Sequence, residues 1–153
     1  MATITEHIEM KRSLLLLLAI PAFAFAHDET PFGRPGDPNA VTRAIDVDMS
    51  DRMRFAPSEI TVKRGQTVRF RVRNSGKVQH EFVLGTMQSL KEHAEMMRRH
   101  PGMEHDDPHS TRAVPGQGGG VVWQFTNPGE FYYGCLVPGH FEAGMIGKVK
   151  VTK

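Results

Sequence analysis

Three residues near the end of the chain carry side chains that bind soft metal ions. Cys135, the single cysteine, is followed five residues later by His140 and five residues after that by Met145. A thiolate, an imidazole and a thioether together favour copper over harder cations, and the thioether is typical of a weak axial ligand. Pro138 and Gly139 interrupt the chain between the first two, as expected for a loop. The sequence therefore predicts a copper site in this loop.

A copper site of this kind needs a second imidazole, and His80 is the candidate. Residues 80–84 have the pattern of a strand, in which His80 shares the apolar side with Phe82 and Leu84. A histidine in that position is either a core residue with satisfied hydrogen bonds or a metal ligand. The four residues predicted to carry the function are His80, Cys135, His140 and Met145.

Composition limits the classes of partner that the chain could have. Its 153 residues are enough for one domain with its own core, and its formal net charge is only +2. The basic residues form no long block, so the sequence indicates neither a nucleic acid nor an anionic membrane as partner. No feature indicates an oligomer, and we expect a monomer.

The first 26 residues have the character of a signal peptide. An apolar run over residues 13–25 follows two basic residues, and Ala24 and Ala26 form the small-x-small pattern of a cleavage site. The alternative, a membrane anchor, would need a longer run of about 18 to 20 residues. We expect export to the periplasm, a mature chain that starts at His27, and no stable membrane insertion after cleavage. Met10 is an alternative start.

Export changes the interpretation of the lone cysteine. In an oxidising compartment an unpaired thiol is expected to be buried, reactive or bound to a metal. Alternation over residues 130–135 places Cys135 on the same strand face as Phe131 and Tyr133, towards the core. A buried, chemically inert cysteine is the alternative to a ligand.

The rest of the chain predicts an all-β fold. Residues 27–40 are rich in Pro, Gly and Asp and lack a hydrophobic period, which indicates a flexible N-terminal arm. Short alternating segments then recur over residues 41–153. In residues 67–73 apolar side chains alternate with arginines, which predicts a solvated strand face, with docking of an acidic partner as the alternative. About seven strands and one inserted helix predict a Greek-key β-sandwich.

Residues 86–120 interrupt the strand pattern. The spacing of Ser89 and Glu92 is that of a capping box, and a short helix is expected over residues 90–99. Histidine and methionine are enriched in and after this helix, which indicates secondary copper binding. The alternative is an ordinary surface helix with an irregular loop, because no fixed motif is present. The candidate secondary ligands are His93, Met96, Met97, His100, Met103, His105 and His109.

Segments spread over residues 55–145 carry a family resemblance. They are Phe55-Ala56-Pro57, Ile60-Thr61-Val62, Gly65-Gln66-Thr67-Val68, residues 74–80, and Gly129-Glu130-Phe131-Tyr132-Tyr133-Gly134-Cys135 with His140 and Met145. The sequence resembles the cupredoxins, the small blue-copper β-sandwich proteins, and its Cys-x4-His-x4-Met spacing is similar to that of rusticyanin-type members. The chain departs from many members at Glu81, where an Asn or Ser commonly follows the first histidine.

The resemblance implies one type 1 copper with His80, Cys135 and His140 as equatorial ligands and Met145 as axial ligand. It also implies single-electron transfer to a redox protein that docks near His140. A copper-tolerance protein that buffers periplasmic copper through additional Met and His sites is the alternative. We do not expect an enzyme, because the chain has neither an acid/base pair nor the His-x-His pairs of a further copper centre.

Overall fold

The computed structural model describes residues 29–103 and 106–153. The predicted signal peptide over residues 1–26, the predicted mature terminus at His27 and the candidate ligand His105 lie outside these ranges. The strands are β1 (Arg34–Pro35), β2 (Arg43–Ser50), β3 (Arg54–Ala56), β4 (Glu59–Lys63), β5 (Thr67–Asn74), β6 (His80–Gly85), β7 (Ser110–Ala113), β8 (Gly118–Gln124), β9 (Gly129–Gly134) and β10 (Ile146–Thr152), with one helix, α1 (Met87–Arg99), between β6 and β7.

The strands form two five-stranded sheets that enclose the core. One sheet has the order β1-β8-β5-β2-β3 and the other the order β4-β10-β9-β6-β7. The pairs β2–β5 and β4–β10 are parallel and the remaining pairs are antiparallel. Buried aromatic rings fill the space between the sheets, among them Phe70, Phe82 and Tyr133. The predicted all-β Greek-key sandwich with one helix is confirmed, with ten described strands where about seven were expected.

Alternation decides which face of each strand is buried. In β5 the apolar side chains are buried and Arg69, Arg71 and Arg73 are exposed, as their positions predicted. The Arg71 guanidinium and the Asp46 carboxylate of β2 form an ion pair with a 2.7 Å contact. The arginine row therefore lies on a solvated face whose charge is partly balanced within the sheet.

The segment before residue 40 is attached to the first sheet. β1 pairs with β8, and Phe32 is buried with its ring stacked on Trp123 at 5.2 Å. The Trp123 indole N–H donates to the Phe32 carbonyl at 2.9 Å. The sequence predicted an arm over residues 27–40 because a single aromatic residue among Pro and Gly does not form a periodic hydrophobic pattern. The contact that anchors this segment therefore could not be predicted from periodicity.

Helix α1 begins earlier than predicted, at Met87 rather than at residue 90. Its N-cap is Thr86, whose hydroxyl accepts from the Ser89 backbone N–H while the Ser89 hydroxyl accepts from the Thr86 backbone N–H. The predicted box from Ser89 to Glu92 is thus wrong by one turn, because serine serves here as the third helical residue. Leu90 and Met97 are buried against the outer face of the second sheet. No helix in the described ranges is long and apolar enough to cross a membrane.

Candidate metal centre

Three of the predicted ligands converge at one end of the sandwich. The metal-binding atoms of His80, Cys135 and His140 all lie within 4.8 Å of one another. Cys135 Sγ is 3.3 Å from His140 Nδ1 and 3.9 Å from His80 Nδ1, and the two imidazole centroids are 5.0 Å apart. His80 and Cys135 are fully buried, whereas His140 is partly exposed. The cluster therefore has one edge at the surface.

Two adjacent strands and one loop bring these side chains together. β6 begins at His80 and pairs with β9 in the register Val83 with Gly134, so Cys135 leaves β9 beside the start of β6. The following loop is closed by its own backbone. Cys135 N–H donates to the Met145 carbonyl at 3.1 Å, and Met145 N–H donates to the His140 carbonyl at 3.0 Å. Because these bonds use no metal, the loop is held in position by the polypeptide itself.

Met145 lies at the end of this loop with its side chain fully buried. The residue packs in the core cluster between the sheets and precedes β10 directly. The preceding Gly144 has a φ of 86°, a conformation that glycine adopts without strain and that turns the chain into the strand. The loop therefore delivers a thioether, together with the thiol and the imidazole, to the same end of the fold.

Glu81 contacts Cys135 through its backbone. The Glu81 N–H donates to Cys135 Sγ at 3.3 Å, and the bond is buried. The Glu81 side chain lies on the face of β6 opposite that of His80. There its carboxylate pairs with the Arg112 guanidinium of β7 at 2.7 Å. The departure from Asn or Ser at this position thus leaves the sulfur with a backbone hydrogen-bond donor. An N–H aimed at the sulfur favours the ionised thiol that metal binding requires.

Asp51 orients His80 and was not predicted. Its carboxylate lies 3.2 Å from His80 Nε2 and accepts the backbone N–H groups of Lys77 at 2.7 Å and Val78 at 3.3 Å. These backbone bonds, the Lys77 one above all, lower the pKa of Asp51. A carboxylate on the far nitrogen of a histidine fixes the ring and leaves the other nitrogen, here Nδ1, directed at the metal position.

Asn74 holds the segment that leads to His80. Its amide donates to the carbonyls of Val78 and Ala113, each at 2.8 Å, and its side-chain oxygen accepts from Gly76 N–H at 2.9 Å. The burial of Asn74 was not predicted from the sequence. Asn74 continues the alternating series of buried residues in β5, and a polar residue in such a series is the signal that could have indicated its structural role.

Burial sets the protonation of the cluster. Loss of hydration raises the pKa of the Cys135 thiol to about 12, against the opposing hydrogen bonds from the Glu81 and Val137 backbones. Burial, followed by the neighbouring His80, lowers the pKa of His140. At neutral pH the metal-free cluster therefore carries a protonated thiol. A metal ion that replaces this proton would have one unit of its positive charge balanced by the thiolate. The thiol, two imidazoles and nearby thioether fit copper, and harder cations suit them poorly.

The secondary candidates are scattered. His93 and Met97 line a cavity of about 190 Å³ between α1 and the β6–β7 ladder. Met96, His100 and Met103 are exposed, and the ring of His109 packs edge-on against Phe32 and Trp123. Among the residues that the structure describes, His80, Cys135 and His140 form the one group of three or more His, Cys, Asp or Glu side chains close enough to share a metal ion.

Comparison with known proteins places the chain in a family. The sequence model of copper-binding proteins of the plastocyanin/azurin family matches residues 41–152. The chain is 57% identical over 131 residues to the copper-resistant cuproprotein CopI of Rubrivivax gelatinosus, a match that covers 85% of this chain and 79% of that protein. It is 34% identical over 155 residues to CopI of Pseudomonas aeruginosa, covering 82% and 84%.

Solved structures support the same fold. A reduced auracyanin from Roseiflexus castenholzii covers 74% of this chain and 99% of its own, with a TM-score of 0.63 at 21% identity. The donor chemistry of the cluster and the match over residues 41–152 agree on copper as the cofactor. Because that match spans nearly the whole described sandwich, the chain belongs to the plastocyanin/azurin family of copper-binding proteins, the cupredoxins.

Proposed function

We propose that the protein is a periplasmic type 1 copper protein that transfers single electrons and contributes to copper resistance. The observation that carries the proposal is the convergence of His80, Cys135 and His140 within 4.8 Å at one end of a β-sandwich. The names of the CopI relatives support the link to copper resistance. In this proposal the protein is a carrier and not an enzyme.

The chain's residues have distinct roles in this proposal. His80, Cys135 and His140 would hold the copper, with Met145 as a weaker fourth ligand. Copper bound there would supply one-electron chemistry between Cu(I) and Cu(II). The polypeptide keeps the ligands in place through the Asp51 carboxylate and the bonds within the 135–145 loop, so little rearrangement is needed when the charge changes.

The surface beside His140 is suited to docking a redox protein. His140 is the partly exposed ligand, and apolar residues adjoin it in the loop, among them Val137 and Pro138. Val78 lies two residues before His80, and Val114 follows Ala113, which pairs with His80 in the β6–β7 ladder; both valines are more than 40% exposed. An apolar patch around a partly exposed ligand allows close approach of a partner. We expect the monomer to bind its partner transiently there.

Copper titration of the exported protein with visible and EPR spectra tests the site. We expect one tightly bound copper per chain and an intense charge-transfer band from the cysteine sulfur. Cys135→Ser should abolish the band, whereas the matched variant Ser110→Ala, on β7 away from the cluster, should keep it. A copper-loaded wild type without this band, or a Cys135→Ser variant that retains it, would refute the assignment.

Copper buffering through a second site is the alternative function, and one observation favours it. His93 and Met97 lie one turn apart on α1 and line the same cavity, which also has a carboxylate donor in Asp106. If this function operates, titration should show a second copper, and His93→Gln with Met97→Leu should remove it. Met96→Leu with His100→Gln, at exposed positions on the same helix, is the control. Saturation at one copper would exclude the second site.

A further inference from the structure

We propose that Arg112 is a positioning residue for the copper–thiolate bond. Through its ion pair with Glu81, Arg112 fixes the backbone N–H that Cys135 Sγ accepts, and so adjusts the electron density on the sulfur. This inference rests on the proposed type 1 site, but the hydrogen bond itself is a property of the polypeptide and can be measured without metal.

Strand register brings the two charged residues face to face. Glu81 of β6 lies opposite Arg112 of β7 in the antiparallel ladder. Arg112 Nη2 is 2.7 Å from Glu81 Oε1, and Arg112 Nε donates to the same oxygen at 2.9 Å. The Glu81 side chain is only 10% exposed and that of Arg112 is 33% exposed. A double contact between largely buried groups is more restrictive than a solvent-exposed pair.

The geometry of β6 explains why this pair bears on the sulfur. The β6–β9 ladder covers Val83 to Gly85 and ends before Glu81 is reached. The N–H of Glu81 points to the β9 side, where Cys135 Sγ takes the place of a carbonyl acceptor. On the β7 side, the ladder pairs His80 with Ala113 and Phe82 with Thr111, and the ion pair with Arg112 adds a side-chain restraint on Glu81 itself.

The charge of Arg112 also affects the electron density on the Cys135 sulfur, in the same direction as the hydrogen bond. The Glu81 carboxylate belongs to the residue directly after His80, and an uncompensated negative charge there would oppose a thiolate. The Arg112 guanidinium offsets it at 2.7 Å. Removing Arg112 should both loosen the N–H bond and leave the carboxylate charge unbalanced. Each change increases electron donation to copper and favours Cu(II), because hydrogen bonding around the cysteine sulfur tunes the potential.

The experiment compares Arg112→Gln, Arg112→Lys and the control Arg71→Gln. Arg71 also forms an ion pair with an aspartate, but on the exposed face of the other sheet. In the copper-free protein, NMR would record the chemical shift and hydrogen exchange of the Glu81 amide. In the copper-loaded protein, the reduction potential and charge-transfer band would be measured, with unfolding midpoints recorded to detect general destabilisation.

We expect Arg112→Gln to accelerate exchange of the Glu81 amide by roughly threefold to tenfold, the range for loss of one typical hydrogen bond. It should also lower the potential and shift the band. Arg112→Lys keeps the charge but loses the double contact, so its changes should be smaller than those of Arg112→Gln, and Arg71→Gln should change neither property. The proposal is overturned if Arg112→Gln keeps the wild-type amide and potential. It is likewise overturned if Arg112→Lys changes them as much as Arg112→Gln does, since the positive charge at residue 112 would then have no effect on the amide or the potential.

If wild-type protein shows no charge-transfer band, the proposed function fails separately. The amide measurements in the copper-free protein then decide the positioning role alone: an Arg112→Gln effect that is smaller in Arg112→Lys supports it, and an unchanged Glu81 amide overturns it.

Discussion

Asp51 connects the first histidine ligand to the turn that precedes it. Its carboxylate contacts the His80 ring and accepts two backbone N–H groups. Three groups beside the site therefore depend on a residue that does not contact the metal in the proposed arrangement. Carboxylates on ligand histidines typically contribute 10- to 100-fold to metal affinity. The residue is therefore the best point at which to separate orientation from ligation.

Replacing Asp51 by alanine should weaken copper binding by about 10- to 100-fold, because His80 loses the partner that fixes its ring. Competition with a copper chelator measures this change. The copper affinity of Asp51→Asn should lie between those of the wild type and Asp51→Ala, since an amide oxygen can still accept the hydrogen bonds from the backbone. Asp46→Ala, which removes an exposed ion pair with Arg71, should bind copper as the wild type does. Wild-type affinity in Asp51→Ala would show that β6 alone orients His80.

Met145 permits a test of the axial ligand without loss of the loop. The backbone bonds of Met145 to Cys135 and His140 do not involve its side chain. Leucine has nearly the same volume, and such exchanges usually cost less than about 1.5 kcal/mol. Met145→Leu should therefore fold and bind copper, with a changed reduction potential and visible spectrum. Cyclic voltammetry and absorption spectra check this, and unchanged values would remove Met145 from the ligand set.

At the scale of secondary-structure elements, Gly147 of β10 pairs with Tyr133 of β9 and leaves the space that the Tyr133 ring occupies. A Cβ built at Gly147 would lie 2.1 Å from the Tyr133 ring, which is fully buried. That ring cannot move away easily, because its hydroxyl donates to the Pro57 carbonyl at 2.6 Å and its face stacks on Phe82. The register of the strand that follows the ligand loop thus depends on the absence of a side chain.

Gly147→Ala should destabilise the fold by about 1 to 3 kcal/mol, the usual range for overpacking a core. Urea denaturation of the copper-free protein measures the free energy of unfolding. Gly102→Ala is the matched control, because a Cβ at Gly102 meets no atom within 4 Å, and we expect a change within about 0.5 kcal/mol. Equal stability of the two variants would mean that Tyr133 can rotate without cost.

At the scale of the whole molecule, the sequence predicted what depends on local period and chemistry. Alternation placed His80 and Cys135 on buried strand faces, and both are fully buried. Ligand spacing identified the loop that carries His140. These inferences succeed because the period of a strand and the ligand preference of copper are properties of short segments.

The supporting residues could not be predicted in the same way. Asp51 is 29 residues from His80, and Arg112 is 31 residues from Glu81, so their contacts exist only after the sheets assemble. Phe32 and Trp123, whose rings stack, are 91 residues apart. In each case the residue gains its role from a contact between segments that are distant in the sequence, which local periodicity does not reveal.

His109 links the N-terminal segment to the first sheet and to the segment before β7. Its ring lies 5.7 Å from that of Phe32 and 5.9 Å from that of Trp123, and its carbonyl accepts the Leu84 N–H at 3.0 Å. Burial lowers the pKa of His109, against the attraction of Asp107, and the nearby His93 acts in the same direction as burial. The folded protein therefore favours the neutral imidazole.

This shift predicts how stability depends on pH. Near pH 7 and above, the imidazole is neutral in both the folded and the unfolded chain. Below the unfolded pKa of about 6.5 the unfolded chain gains a proton that the folded protein resists, so stability falls as pH decreases towards the lowered folded pKa. Copper-free wild type should lose stability between about pH 7 and pH 5, and His109→Phe, which keeps an aromatic ring, should lose less.

Urea denaturation at pH 7, 6 and 5 provides the comparison. His140 also has a lowered pKa and contributes to the wild-type slope, so the informative quantity is the difference between wild type and His109→Phe at each pH. His100→Gln, at an exposed position after α1, should follow the wild type. If His109→Phe and wild type lose the same stability between pH 7 and pH 5, the ring of His109 is protonated as readily in the folded protein as in the unfolded chain.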